Sequence, residues 1–281
     1  MKLYNNPEKN ERECGKCHEK KPYIEFKKRY NGSEKVSSIC KKCAIQIESN
    51  RLQMYSWVHK IEAIRFITKN QNKCQICGEI GIETLPMLDF HHSDPVLSSK
   101  EAKKEGFWRS IRYKPWHFIK KELNNQKVTI ICRNCHAKIN ATFFQKYIKL
   151  IQYNDVPEKI TSKLISEKYV RNELKAFIRK KIVLFDLWDG RCCDCGFGIA
   201  WNNIKNLPAL EIHHLQPNTK SFNNFHKFCF LTSDIKIIEK ILVEDNCICL
   251  CSNCHILDQS IFFNENKEEI VRKHRKIFIQ S

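Results

Sequence analysis

Glycine is scarce in this chain, 8 residues among 281, and nowhere does it gather into a loop. That excludes a phosphate-cradling Gly-rich loop. Long apolar runs are missing as well. One of the longest, residues 182–187, is interrupted by Asp186 and is far too short to cross a bilayer. The opening residues, MKLYNNPEKNEREC, lack the apolar segment of a secretory signal, so the expected setting is cytoplasmic and reducing. Acidic residues are the minority, 31 Asp and Glu against 49 Lys and Arg, which gives a formal charge of +18. A chain so basic calls for a polyanion, either nucleic acid or an anionic membrane. Membrane-surface binding would favour one amphipathic basic helix. Here the lysines are spread over the whole length, which favours nucleic acid and no membrane.

What the chain has in quantity is cysteine, 16 residues, together with 42% hydrophobic residues, enough for a folded protein of about two domains. In a reducing compartment regular Cys spacing reads as metal rather than disulfide. A redox CxxC would sit beside a βαβ pattern, which is lacking. The CxxC pairs fall into three sets: Cys14 and Cys17 with Cys40 and Cys43; Cys74 and Cys77 with Cys132 and Cys135; Cys192 and Cys195 with Cys251 and Cys254. Two such pairs can place four sulfurs tetrahedrally around one Zn2+, so three structural zinc sites are expected. Cys193, Cys229, Cys247 and Cys249 remain as expected core thiols. Counting twelve thiolates and three Zn2+ lowers the charge from +18 to about +12, still strongly basic.

The second and third sets are an internal repeat. Cys74 to Cys192 is a shift of 118 residues, His91 to His213 is 122 and His136 to His255 is 119. Each copy reads as a helix, a CxxC, a strand ending in His-His, a variable stretch, a strand, then CxxCH and a final helix. The segments LPMLDFHH and LPALEIHH correspond, as do CRNCH and CSNCH. Apolar periodicity predicts helices over residues 54–70 and 164–188. Strands are predicted over 84–92, 128–131, 208–214 and 247–250. Residues 152–163 read as the linker. The expected domains are 1–53, 54–155 and 156–281.

The histidines lie outside the zinc requirement. His91, His92 and His136 recur as His213, His214 and His255. Neighbouring strand side chains point to opposite faces, so one His of each pair can bind a metal while the next faces solvent and substrate. The His after CxxC adds a second ligand on a helix anchored by the zinc. A divalent ion with open positions beside an imidazole is equipment for phosphodiester hydrolysis.

The combination of the first CxxC, the His-His pair and CxxCH resembles HNH endonucleases with a four-Cys structural zinc. The stretch from Cys14 to Cys43 resembles a zinc-ribbon-like leader found ahead of some of them. The resemblance implies an α+β, helix-rich chain with two ββα-metal domains and a small N-terminal zinc module. It implies His91, His136, His213 and His255 as ligands of a catalytic ion, and His92 and His214 as general bases. The family's middle Asn, five residues before the second CxxC, is matched by Asn246, whereas the first copy has Lys127 there. A further His of the family, four residues after CxxCH, is replaced by Asn140 and Gln259. Amide oxygens suit Mg2+ or Mn2+ better than zinc, so these are the expected catalytic metals.

Between His92 and Cys132 lies a basic, aromatic stretch. Its residues Lys103, Lys104, Arg109, Arg112 and Lys114 are candidates for DNA contact. The function expected is a sequence-specific, restriction-type endonuclease acting on double-stranded DNA, as a monomeric pseudodimer or as a homo-oligomer. Homing or phage nucleases share these parts, and a non-catalytic zinc-dependent nucleic-acid binder is the reading from another class.

Overall fold

The computed structural model describes residues 11–28, 36–79, 81–92, 106–216, 221–232 and 234–279. The chain is a helix-rich mixture of helix and strand, and its described strands pair only in twos. The N-terminal module pairs β1 (Glu11–Glu13) with β2 (Lys20–Pro22) and β3 (Phe26–Lys28) with β4 (Val36–Cys40), all antiparallel. Its small core is Cys14, Phe26, Val36 and Cys40. A module that buries so few apolar groups needs a staple, and four sulfurs meet there. From Cys40 the chain passes directly into α1 (Lys41–Thr68), a helix of 28 residues. The boundary expected at residue 53 therefore falls inside continuous helix. α1 runs without a break from the N-terminal module into the first copy.

The first copy continues with β5 (Lys73–Cys74) and β6 (Gly78–Glu79), which bracket the first CxxC. A 3-10 turn at Ile82–Met87 leads into β7 (Leu88–His92). Then come α2 (Phe107–Ile111), α3 (Trp116–Asn125), β8 (Val128–Cys132), α4 (Arg133–Asn140) and α5 (Thr142–Gln152). The second copy repeats the order with α6 (Lys168–Trp188), a 3-10 turn at Leu207–Ala209, β9 (Leu210–His214), α7 (Phe225–Leu231) and α8 (Ile235–Glu244). It closes with β10 (Cys247–Cys251), α9 (Ser252–Gln259) and α10 (Ile261–Phe278). The pairing β7–β8 sets His92 opposite Val128, and β9–β10 sets His214 opposite Cys247.

The final helix expected in each copy is two helices, broken at Ala141 and at Ser260. The break redirects each closing helix onto the other copy. α10 packs against α1, with Phe263 and Ile270 fully inside the first core and Phe263 4.8 Å from the ring of Trp57. Reciprocally, α5 packs against α6, with Phe144 and Ile151 in the second core. Lys181, fully buried on α6, secures that exchange by donating to the carbonyls of Ile151, Gln152 and Asn154 and pairing with Asp155 at 2.9 Å. The segment expected as a linker is thus held down, and Ile160 in it is buried.

The centre of the molecule has the same reciprocity. The Asn134 amide N–H donates to Asn253 Oδ1 at 3.0 Å, and the Asn253 N–H donates to Asn134 Oδ1 at 3.1 Å. Each 3-10 turn also lies against the other copy's CxxC helix. These are the features of a self-complementary two-fold interface, here built within one chain.

Candidate active site and metal centres

In each of the three modules four cysteine sulfurs lie within 4.8 Å of one another, so three four-cysteine groups could each hold a zinc ion. A tetrahedron with Zn–S bonds of about 2.3 Å has edges of about 3.8 Å. The Cys77–Cys132 and Cys195–Cys251 sulfurs, each 3.7 Å apart, fit it. The local cause is the same three times. Cys40, Cys132 and Cys251 cap helices, and each sulfur accepts the N–H of the Cys three residues on. Helix N-termini and N–H donors favour thiolate. At Cys74 burial pushes the thiol up, but N–H groups of Cys77, Cys132 and Ile76 outweigh it and bring it down to about 7. The third group takes Cys192, and its neighbour Cys193 is exposed. The expectation of a core thiol at Cys193 is therefore wrong: Cys192 takes the buried ligand position, and Cys193 beside it stays exposed. Cys229, Cys247 and Cys249 are buried as expected.

Strand alternation splits each His-His pair. Leu210, Ile212 and His214 turn to the core, whereas Glu211 and His213 face the helix that follows the second CxxC. On that face the rings of His213 and His255 stand 5.1 Å apart at 77°. His91 and His136 repeat this at 5.2 Å and 77°. Carboxylates lock the second ring of each pair. Asp89 Oδ2 is 3.0 Å from His136 Nδ1, and Glu211 Oε2 is 2.5 Å from His255 Nδ1. Burial raises the Asp89 carboxyl, but the His136 hydrogen bond and the charges of Arg133 and Lys60 bring it down to about 2. Glu211 is likewise lowered, burial being outweighed by His255 and Ser252. A carboxylate on one ring nitrogen fixes the tautomer and leaves the other as a metal ligand. Burial, with the neighbouring His136 and His92, lowers His91, which favours its neutral, ligating form.

The copies differ at the edge of this site. His213 Nε2 is 3.3 Å from Asp258 Oδ2, and the Gln259 side-chain nitrogen is 2.8 Å from His255 Nε2. The first copy has Ile139 where the second has Asp258. A cleft of about 560 Å³ opens here, with His213, His214, His255, Asp258 and Gln259 in its walls.

His214 is buried, 8% exposed, against Phe222, so the expectation that it faces solvent fails. The even register of β9 that turns His213 outward turns His214 inward. Its Nε2 is 3.5 Å from Asp245 Oδ2. In the first copy His92 Nε2 lies 2.7 Å from Gln126 Oε1, and Gln126 donates to Glu122. Asn246 and Lys127 occupy the same left-handed turn, φ 50° and 46°, and both are exposed. It is the residue before each, Asp245 or Gln126, that meets the histidine. His214, Asp245 and Cys247 also form a fourth, buried group that could hold a metal ion.

Of the candidate DNA contacts, Lys103 and Lys104 lie outside the described residues. Arg109 and Arg112 line a hollow between the copies, and Lys114 lies 6.0 Å from the Phe118 ring. No helix among the described residues is long and apolar enough to cross a membrane. Sequence reasoning passed over Asp89, Glu211 and Asp258, although alternation in LDFHH and LEIHH and the three-residue spacing from His255 to Asp258 carried the signal. Comparison with known proteins finds no matching family model, curated protein or solved structure.

Proposed function

We propose that this protein is a metal-dependent endonuclease of the HNH type acting on double-stranded DNA, with the second copy carrying the main reaction. The observation that supports this most is the paired imidazoles on one face, each set backed by a carboxylate, in a chain of charge +18. His213 and His255, with Asp258 beside them, would hold the ion in the second copy, and His91 and His136 in the first. Oxygen donors at the edge favour Mg2+ or Mn2+ over zinc. When bound, that ion supplies a Lewis acid for a phosphate oxygen. His214 removes a proton from the attacking water, and Asp245 holds its ring and stabilises the charge that results. Glu211 keeps His255 in its ligating tautomer. Asn246 shapes the turn that brings Asp245 to His214. The N-terminal zinc module, fixed to α1, serves DNA binding or docking.

A supercoiled plasmid incubated with Mg2+ or Mn2+ tests the reading. The wild type should nick and linearise it, and a His92→Ala/His214→Ala double variant should do neither. A restriction role is the reading for the biological context. An adjacent methyltransferase gene would agree with it, and an enclosing intron would point to homing. One observation favours the non-catalytic alternative: His214 is buried in a group that could itself hold a metal. DNA binding without cleavage in every metal would decide for it.

A further inference from the structure

A hollow of about 380 Å³ opens between the two copies. One wall is the first copy's Lys60, Arg109 and Arg112, and the other is the second copy's break at residues 259–263. Gln259 lines this hollow and the cleft of His213 and His255 alike, so the two spaces share a wall.

The hollow is lined by cationic, aromatic and neutral polar side chains. No carboxylate is among its lining residues. Arg112 Nε is buried without a hydrogen-bond partner among the described residues, and its guanidinium lies 4.6 Å from the Tyr113 ring. Lys60 is 8% exposed with its ammonium 5.1 Å from the Trp57 ring, and burial pulls it down to about 8. A buried guanidinium nitrogen without a partner is costly, and a guanidinium matches a phosphate in bidentate geometry; Lys60 adds a positive charge that it shares with Asp89.

The repeat supplies an internal control. The buried pair Phe107 and Ile111 of α2 corresponds to Phe225 and Cys229 of α7. That register places Lys227 opposite Arg109, Phe230 opposite Arg112 and His226 opposite Trp108. The left-handed caps Lys69 and Asp189 align Lys60 with Lys180 and Gln53 with Glu173. On that side Phe177 packs against Phe143 at 6.2 Å and His226 at 4.4 Å, and His226 pairs with Glu173 at 2.7 Å. There Phe230 stands in place of the Arg112 guanidinium, and the carboxylate Glu173 in place of Gln53. The cationic hollow therefore lies beside the second copy's cleft, and the corresponding place beside the first lacks the Arg112 guanidinium and holds the His226–Glu173 pair.

We propose that this hollow binds a backbone phosphate of the DNA strand presented to the second copy's site, so that Arg109 and Arg112 of one copy serve the reaction of the other. The inference rests on the nuclease reading above. The test uses the full, zinc-loaded chain, a duplex oligonucleotide and Ca2+ to hold back cleavage, with affinity measured against KCl. Arg109→Gln/Arg112→Gln should weaken binding more than tenfold and reduce the slope of log affinity on log salt by about two. Arg109→Gln alone, at an exposed position, should reduce it by about one. Lys227→Gln, at the corresponding position of the other copy, should leave it unchanged. Wild-type slope and affinity in both Arg variants would overturn the proposal, as would an equal loss in Lys227→Gln or a wild type that binds no duplex. A protein that shows the expected slopes yet never cuts in Mg2+ or Mn2+ would overturn the nuclease reading alone.

Discussion

The two copies have the same skeleton and differ in the polar residues at the edge of the paired histidines. Both hold a four-cysteine group, paired imidazoles, a carboxylate behind the second imidazole and a buried lysine near that carboxylate. The second copy alone adds Asp258 at the edge, Asp245 against His214 and Asn246 in the turn. The first has Ile139, Gln126 and Lys127 in those places. Each copy covers the other's core, so both skeletons are needed for packing even where their polar residues differ.

Zinc removal should have the largest effect. A strong chelator should collapse both cores, since each pair of strands is anchored at a four-cysteine group, and circular dichroism with metal analysis should show three zinc ions leaving. A fourth tightly held ion that is lost in Cys247→Ser would place metal on His214, Asp245 and Cys247 and remove the base from the second copy. Next come the exchanged helices. Phe263→Ala and Phe144→Ala should each destabilise by about 3–5 kcal/mol in denaturant unfolding. Phe263, though part of the second copy, should loosen the first, as amide exchange of α1 would reveal. Asp245→Asn should lower the cleavage rate about 10–100-fold with little change in stability, while Gln126→Ala should matter far less. The smallest effect concerns the turn. Lys127→Asn should stabilise by less than about 1 kcal/mol, because Asn tolerates the left-handed conformation that Lys occupies at a cost.

The repeat, the three sets of cysteines and the strand positions were legible because they rest on local patterns, alternation and CxxC spacing. Leu88–His92 and Leu210–His214 lie within the expected strands, and the CxxCH helices begin where expected. The helix exchange was not legible. It depends on one residue at each break, Ala141 and Ser260, and on which core Phe144 and Phe263 reach, a matter of tertiary packing alone. Asp245 escaped for a related reason. Its approach to His214 follows from a left-handed Asn246 that turns the chain back, and spacing does not reveal a backbone angle. Arg109 and Arg112 were recognisable as basic residues among aromatics, but not as lining a hollow that shares Gln259 with the other copy's cleft.

The central claim is that the second copy cuts DNA, and single-site variants on a supercoiled plasmid test it most directly. With Mg2+ or Mn2+ present, His214→Ala should lose at least about 100-fold in cleavage rate, in line with loss of a general base, while His92→Ala keeps most of it. Full double-strand cleavage by His214→Ala would contradict the account.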